Sequence, residues 1–206
     1  MEQTLFNDKC GDLDPFEVFS SWMAKAVAKD PHTANAASVA TADKNGVPSV
    51  RVLLLKFFDE KGFVFFTNFK SQKGHELHDN PYAAFCLYWS DVKQQFRAEG
   101  PIEMITAEES DAYFHSRPRN SQIASIASQQ SSPLAARTDY ENAIKALEKQ
   151  HEGEDNLPRP DHWQGFRLKP LKIEFWQDEN FRAHQRRIFY RDDVNDVNWN
   201  TTLLYP

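Results

Sequence analysis

The chain has 206 residues, of which 40% are hydrophobic and 13% aromatic, and its formal net charge is −6. This length and composition predict a single globular domain with a sizeable core and exclude a disordered chain. A net negative charge argues against general nucleic-acid binding, which needs a broad basic face.

The cellular compartment is indicated by what the sequence lacks. The stretch MEQTLFNDKCGDLDPF is acidic and does not have the basic-then-apolar order of a signal peptide. No apolar run approaches the roughly 18 residues that cross a bilayer. Cys10 and Cys86 match no metal or redox spacing, which is typical of free thiols in a reducing compartment. We therefore predict a cytoplasmic protein with no membrane or nucleic-acid partner.

The first predicted element is a helix over 14–30, with Asp14 as its N-cap and Pro15 at its first position. The apolar face of this helix consists of Phe16, Phe19, Trp22, Met23 and Val27.

Five strands and one short polar helix follow in the first half of the chain. The strands are predicted at 35–43, 49–59, 62–69, 82–89 and 94–105, and the helix at 71–81. The strand at 82–89 is apolar enough to be buried on both faces.

The second half begins with a helix over 106–117, where Thr106 and Glu109 form a capping-box pattern. A second amphipathic helix is predicted over 138–150, followed by a proline-rich surface connection over 151–163. The last strands are predicted within 165–177, RRIFYR and WNTTLLYP. Strands without regular helix alternation favour a mainly β, barrel-like antiparallel sheet with helical cover.

Three stretches hold more cationic and polar groups than core packing needs. In RVLLLK, Arg51 and Lys56 are five positions apart, so a strand would point them to opposite faces around a buried apolar run. They either mark a site or extend to water, and this stretch does not decide between the two. In FFTNFKSQKG, Lys73 lies at a helix start beside Thr67 and Ser71, which indicates an anion site. The third stretch, residues 113–132, is either a solvated loop or the lining of a polyanion site.

The histidines are scattered, and none has metal-ligand spacing. His75 and His78 share one helical face but have no third ligand nearby, so we interpret them as surface residues. No metal site is predicted.

Six motifs occur in order along the chain: RVLLLK, FVFFTNFKSQKGHEL, LYWSDVKQQFRAEG, SRPRNSQIASIASQQS, PRPDHWQGFRLKPLKIEFWQ and RAHQRR. Together they closely resemble the flavin-dependent pyridoxamine/pyridoxine 5′-phosphate oxidases, from about residue 14 to the final LLYP. The resemblance implies an FMN-binding antiparallel split β-barrel with peripheral helices, which is dimeric and holds FMN at the subunit interface. It implies one domain over 1–206, with an arm at 1–13, a helix at 14–30, an insertion at 133–162 and C-terminal strands at 163–206.

The resemblance also implies roles for individual residues. From one subunit, the FMN contacts would be Arg51, Lys56, Phe66, Thr67, Gln72 and Lys73, and from the other subunit Gln95, Gln130, Ser131, Trp176 and Arg186. The substrate contacts would be Lys56, Tyr113, Arg117 and Ser121 around the phosphate, with Arg182 and His184 as the catalytic pair over the pyridine ring.

The implied reaction is oxidation of pyridoxamine and pyridoxine 5′-phosphates to pyridoxal 5′-phosphate. Hydride passes from the 4′ carbon to the flavin, and O2 reoxidises the flavin with release of hydrogen peroxide. Two phosphate dianions require several cations with directed donors, which these residue types provide.

The chain departs from the family pattern at four places. Gln72 stands where the family usually has an arginine, which removes a charge-assisted contact worth roughly 1.5–3 kcal/mol. Phe66 replaces a common tyrosine, and Gln185 replaces the acid of the usual RLHDR. Residues 1–13 contain no arginine or tyrosine to close over the substrate, so this lid is either absent or supplied by another segment.

Two other functions remain open. One is a split-barrel flavin oxidase of another reduced ring, such as a dihydrophenazine, and the other is a non-catalytic protein that binds FMN or pyridoxal phosphate. In the basic segment near the C-terminus, an extended backbone would point Arg182, His184 and Arg186 to one side. Arg187 would face elsewhere, in a structural or solvated position.

Overall fold

A computed structural model describes residues 5–7 and 13–206 of the chain. Its helices are α1 (Pro15–Lys29), α2 (Gln72–Asp79), α3 (Ala107–Ser116), α4 (Arg119–Ala127) and α5 (Arg137–Gln150), with short 3-10 turns at Ser90–Val92 and Asn180–Arg182. Its strands are β1 (Ala36–Ala42), β2 (Pro48–Leu54), β3 (Phe57–Asp59), β4 (Gly62–Asn68), β5 (Tyr82–Trp89), β6 (Gln94–Met104), β7 (Trp163–Leu168), β8 (Lys172–Gln177), β9 (Gln185–Tyr190) and β10 (Asn200–Leu204).

All paired strands are antiparallel, in the order β10-β9-β8-β6-β5-β1-β2, and β3-β4-β7 joins this path at β6. Strand β6 therefore belongs to both branches, since positions 94–99 pair with β8 and positions 102–104 with β7. At Gly100, between these two parts, a Cβ atom would collide with the carbonyl oxygen of Lys169, so only glycine fits. The predicted antiparallel, mainly β architecture with helical cover is confirmed.

Helix α1 packs its apolar stripe into the main core. Asp14 caps it by accepting a hydrogen bond from the backbone N–H of Phe16, and Pro15 opens it, as predicted. The ring of Phe19 lies 4.3 Å from that of Phe96 and 5.0 Å from that of Phe63. The prediction for Val27 is wrong: it is exposed, because the buried stripe continues at Ala26, one step round the helix.

Two predicted strands each divide into two because the chain switches partners, and one polar stretch contains a helix that was not predicted. The stretch 49–59 divides at Lys56, whose N–H bonds to Val64 of β4, so Arg51 and Lys56 do not share a strand and the opposite-face argument fails. The stretch 165–177 divides at Pro170, which has no N–H for a sheet hydrogen bond. Within 113–132 the structure forms helix α4, which the polar composition did not reveal.

Two predictions of complete burial are also wrong. Along β2, Val52 is 64% and Leu54 44% exposed, and along β5, Tyr82 and Tyr88 are exposed. Strand β2 ends the sheet path, and in the described part of the chain no element covers its outer face. An apolar outer face of this kind is typical of a surface that meets another protein.

Part of the arm at 1–13 lies outside the described residues. Within it, Leu5 is fully buried in the main core, and the carbonyl oxygen of Asn7 accepts a hydrogen bond from Arg187 at 2.9 Å. Arg187 is itself buried, so of the two predicted positions, structural or solvated, the structural one is observed.

Candidate functional site

The start of helix α2 holds a buried cation. The Nζ atom of Lys73 donates hydrogen bonds to Thr67 Oγ1 at 2.9 Å, Ser71 Oγ at 3.1 Å and Gln130 Oε1 at 2.7 Å. Lys73 makes no ion pair with any carboxylate of the described residues, and burial, aided by the nearby charge of Arg51, lowers its pKa to about 8. The sequence prediction of an anion site at this helix start therefore has a geometric basis.

The backbone approaches very closely at the same place. A Cβ atom on Gly74 would collide with the carbonyl group of Phe69, so this glycine allows the first turn of α2 to fold back onto the end of β4. The fold-back brings Lys73 against Thr67, the penultimate residue of β4.

Behind Lys73, a buried carboxylate holds two of the predicted cofactor residues. Glu76 Oε2 lies 3.2 Å from the Arg51 guanidinium, and Glu76 Oε1 accepts from the Gln72 amide at 2.9 Å. Thr41 and Ser49 also donate to Oε2. Burial alone would raise the pKa of Glu76, but hydrogen bonds from Ser49, Thr41, Gln72 and Arg51 lower it to about 2.

Glu76 was not singled out from the sequence, although it lies four positions after Gln72 on one helix face. Because Glu76 neutralises Arg51 and occupies the amide of Gln72, Lys73 is left as the cation of this group without a carboxylate partner.

A cluster of three aromatic rings lies next to the group formed by Lys73 and Glu76. The ring of Phe66 lies 4.1 Å from that of Tyr113 and 4.9 Å from that of Trp163, and the Tyr113 and Trp163 rings are 6.1 Å apart, all with small interplanar angles. Two of these rings each have a cation nearby. Lys56 Nζ lies 6.0 Å from the centre of the Tyr113 ring, and the guanidinium carbon of Arg117 lies 5.1 Å from the centre of the Trp163 ring. Trp163 entered the sequence analysis only as part of a motif.

A surface cleft connects these groups. Among its lining residues are Thr67, Arg117, Ser121 and Gln130, and its volume is about 360 Å³. The Arg117 guanidinium, which follows the end of α3, donates to Ser125 Oγ of helix α4 at 2.9 Å, and this bond fixes its position. Predicted cofactor and substrate residues thus line one cleft of a single chain.

The resemblance assigned Gln130 and Ser131 to the second subunit. In the structure Gln130 instead contacts Lys73 of its own chain. Ser131 follows it in a left-handed conformation, with φ of 72°, and is exposed.

The remaining predicted residues form a second group on β6, β8 and β9. Gln95 pairs with Trp176 across β6 and β8, and the Trp176 ring lies 4.7 Å from that of His184. Arg186 donates from Nε to the buried Glu174 at 2.9 Å and from NH1 to the carbonyl of Tyr205 at 3.1 Å.

The predicted common face of Arg182, His184 and Arg186 is wrong for its first member. Arg182 ends a 3-10 turn with φ of 62° and is exposed, because the chain reverses direction between β8 and β9 there. His184 and Arg186 are half-buried at the start of the returning strand.

The two groups do not meet within one chain. Strand β2, with Arg51, and strand β8, with Trp176, are separated by β1, β5 and β6 in the sheet. In residues 5–7 and 13–206, no hydrogen bond, ion pair or ring contact joins a residue of the cleft to Gln95, Trp176, Arg182, His184 or Arg186.

The described part of the chain has neither a metal-ligating cluster nor a membrane-spanning helix. Its His, Cys, Asp and Glu side chains form no group of three that could hold a metal ion. None of its helices combines the length and apolarity needed for a membrane crossing.

Comparison with known proteins places this geometry in a family. A model described as pyridoxamine 5′-phosphate oxidase matches residues 23–151, and one described as the pyridoxine 5′-phosphate oxidase C-terminal dimerisation region matches residues 163–206. The chain belongs to the pyridoxamine 5′-phosphate oxidase family. The matched segments contain every residue of both groups.

Relatives support this membership over nearly the whole length. A pyridoxine/pyridoxamine 5′-phosphate oxidase of Gluconobacter oxydans is 48% identical over 94% of this chain and 94% of its own. One of Maricaulis maris is 47% identical over 94% of this chain and 86% of its own.

Solved structures establish the family's split β-barrel fold for this chain. PhzG from Burkholderia lata, in complex with tetrahydrophenazine-1-carboxylic acid, has a TM-score of 0.88 and 30% identity over 98% of this chain and 96% of its own. An FMN-binding protein of Nostoc punctiforme related to pyridoxamine 5′-phosphate oxidase has a TM-score of 0.75 at 17% identity, over 95% of this chain and 100% of its own.

Proposed function

We propose that this protein is an FMN-dependent oxidase that converts pyridoxamine and pyridoxine 5′-phosphates to pyridoxal 5′-phosphate. The observation that carries the proposal is a cleft with two cations beside a cluster of three aromatic rings. Arg117 lines the cleft, and Lys73 lies behind it with neutral partners, bonded to the lining residues Thr67 and Gln130. A cofactor and a substrate that each bear a phosphate on an aromatic ring system match this arrangement.

The donor set around Lys73 fits the phosphate of FMN. Its own ammonium, the Thr67 hydroxyl and the first N–H groups of α2 lie at this helix start. A bound dianion would supply the negative charge that Lys73 lacks among its described contacts. Bound FMN would supply the redox chemistry, namely hydride acceptance and reoxidation by O2.

The protein side chains bind and orient the substrate. Arg117, held by Ser125, and Lys56 would bind its phosphate, and Tyr113 and Ser121 lie close by on α3 and α4. The substrate ring would lie under Arg182 and His184. Oxidation of the amine consumes water and O2 and releases ammonia and hydrogen peroxide, whereas the alcohol requires O2 alone.

We infer a homodimer in which the second group comes from the partner. Support comes from the match to a dimerisation region over residues 163–206, which contains Trp176, His184 and Arg186. The exposed apolar face of β2 provides further contact area. A composite site explains why the two groups stay apart within one chain.

The direct test uses the purified protein loaded with FMN. Addition of pyridoxamine 5′-phosphate under air should produce pyridoxal 5′-phosphate and hydrogen peroxide in equal amounts. Bound flavin without either product would contradict an oxidase of this substrate and favour a non-catalytic binding protein. Failure to bind FMN supplied in excess would contradict any flavin oxidase and favour a protein that binds pyridoxal phosphate without catalysis.

A second candidate function is oxidation of a reduced phenazine. It is favoured by the similarity to PhzG, which was solved with a tetrahydrophenazine carboxylic acid. The same assay, run with a reduced phenazine carboxylic acid, distinguishes the two by which compound consumes oxygen.

The Arg117→Ala substitution tests the substrate-phosphate assignment. Loss of a charge-assisted contact should raise KM for the phosphorylated substrate about 10- to 100-fold, while Kd for FMN stays within about twofold. Arg119→Ala is the matched control, because Arg119 donates to the carbonyl of His151 at 2.6 Å, away from the cleft. Equal losses of substrate and FMN binding in Arg117→Ala would refute the assignment.

A further inference from the structure

The loop between β8 and β9 is closed by a contact between its first and last residues. Asp178 Oδ1 lies 3.0 Å from Nδ1 of His184. The backbone N–H of Asp178 donates to the carbonyl oxygen of Lys93 at 2.9 Å, which anchors the acid beside β6. The imidazole packs on Trp176, so its position is fixed from two sides.

A second donor approaches the same ring nitrogen. The backbone N–H of Glu179 lies 3.2 Å from His184 Nδ1. One nitrogen cannot both accept from this N–H and donate to Asp178, so the two contacts require opposite protonation of Nδ1. The Glu179 N–H is aligned for a hydrogen bond to Nδ1, whereas the Asp178 carboxylate lies at ion-pair distance, 3.0 Å, without that alignment. The full negative charge of a carboxylate this close repels a lone pair and attracts a proton, which favours the Nδ1–H form.

The loop backbone is held in an unusual conformation around this contact. Phe181 and Arg182 are consecutive non-glycine residues with φ of 58° and 62°. Such residues persist where surrounding contacts determine the chain path, and they occur often at ligand sites. The ring of Phe181 is fully exposed, so neither its side chain nor a described contact of it explains the conformation.

The opposite edge of the imidazole is available. In the part of the chain that the structure describes, Nε2 of His184 has no hydrogen-bond partner. With a proton on Nδ1, the neutral ring presents a lone pair at Nε2, and the ring is then an acceptor for a hydroxyl or amine hydrogen.

We propose that Asp178 is a positioning residue for His184, which keeps the proton on Nδ1 and leaves Nε2 as a hydrogen-bond acceptor for the reacting substituent of the substrate. This inference rests on the proposed function. Asp178 thereby takes over from the acid that is absent at position 185. Gln185 itself donates a hydrogen bond to Glu179 Oε1 at 2.9 Å on the exposed side of the loop. The acidic partner of Arg186 is Glu174.

The test compares Asp178→Asn with Glu179→Gln, a neighbouring loss of a carboxylate that keeps the backbone N–H. The proteins are labelled with 15N-histidine and loaded with FMN, and the His184 signals are assigned with His184→Gln. At a pH where the ring is neutral, the wild type and Glu179→Gln should show protonated Nδ1 and bare Nε2. In Asp178→Asn the amide can donate to Nδ1, so the proton should move to Nε2.

Kinetics provide the second measurement. Asp178→Asn should lower kcat about tenfold, the effect of one hydrogen bond, with little change in Kd for FMN. Protonated Nε2 in the wild type, or an unchanged tautomer in Asp178→Asn, would overturn the proposal. So would a shifted tautomer with unchanged kcat. An inactive wild type with the expected tautomer would instead refute the proposed function alone.

Discussion

The charge of Lys73 is the residue-scale feature with the clearest consequence for binding. Its pKa is lowered to about 8 by burial and by Arg51, so in the free protein the ammonium loses its proton as the pH rises through about 8. A phosphate dianion favours the charged form and therefore raises this pKa when it binds.

We therefore expect FMN affinity to depend on pH. Between about pH 7, where the phosphate is a dianion, and pH 8 the cation is already present, and Kd for FMN should be nearly constant. Above about pH 8, binding must take up a proton, and Kd should rise by about tenfold per pH unit. Fluorescence titration of flavin with the apoprotein measures this dependence.

Two variants isolate the contribution of Lys73. Lys73→Met should bind FMN more weakly at neutral pH and lose the pH dependence above about 8. The control, Lys70→Met, removes an exposed lysine three positions earlier and should retain the pH dependence of FMN binding. A wild-type Kd that stays flat through this range would contradict a phosphate contact by Lys73.

At this scale the sequence predicted the cations but not what holds them. The anion site at Lys73 could be predicted because this lysine comes after a strand and lies at the start of a helix. Glu76 was missed because a single glutamate on a polar helix is usually solvated, and its role depends on Arg51, Ser49 and Thr41, which the sheet register brings to it. Asp178 and His184 meet only because the loop between them reverses direction.

At the scale of elements, the two faces of strand β2 have different roles, one towards the site and one towards solvent. Its alternation turns Arg51 towards Glu76 and Val50 and Val52 outwards, where they are 68% and 64% exposed. An edge strand with an apolar outer stripe is suited to association with a second copy.

A charge on this stripe should weaken the dimer. Val52→Asp places an unpaired carboxylate in the inferred interface, so the monomer fraction at micromolar concentration should increase. Sedimentation velocity measures the change. The control is Val27→Asp, at an exposed valine of helix α1. Unchanged dimerisation in Val52→Asp would exclude the β2 face as an interface.

The elements that could be predicted from the sequence are those whose limits are set by residues close together in the chain. The α1 cap and the Thr106–Glu109 capping box follow from local chemistry, and both are observed. The breaks at Lys56 and Pro170 depend on which strand each segment pairs with, and the burial of β5 depends on what covers its outer side. Sequence periodicity contains neither kind of information.

At the scale of the whole molecule, the separation of the two groups predicts complementation between subunits. Arg117→Ala and Arg186→Ala homodimers should each have impaired sites. A mixed dimer has one site with both defects and one with none, if the two groups come from different chains.

Refolding an equimolar mixture tests this arrangement. Random pairing makes about half of the dimers mixed, each with one intact site of two, so about a quarter of wild-type activity should return. Separately refolded variants combined without exchange provide the control. Activity no higher than the average of the two variants would show that both groups serve the same site from one chain.

The pairing register of strand β6 determines both the packing of the core and the position of a predicted cofactor residue. Its side chains alternate without interruption from buried Gln94, Phe96 and Ala98 to half-exposed Gln95, Arg97 and Glu99. A slip by one residue would turn Phe96 outwards, and it would equally remove Gln95 from beside Trp176. Misfolded chains should therefore fail to bind the cofactor, and flavin colour in a preparation would measure its correctly folded fraction.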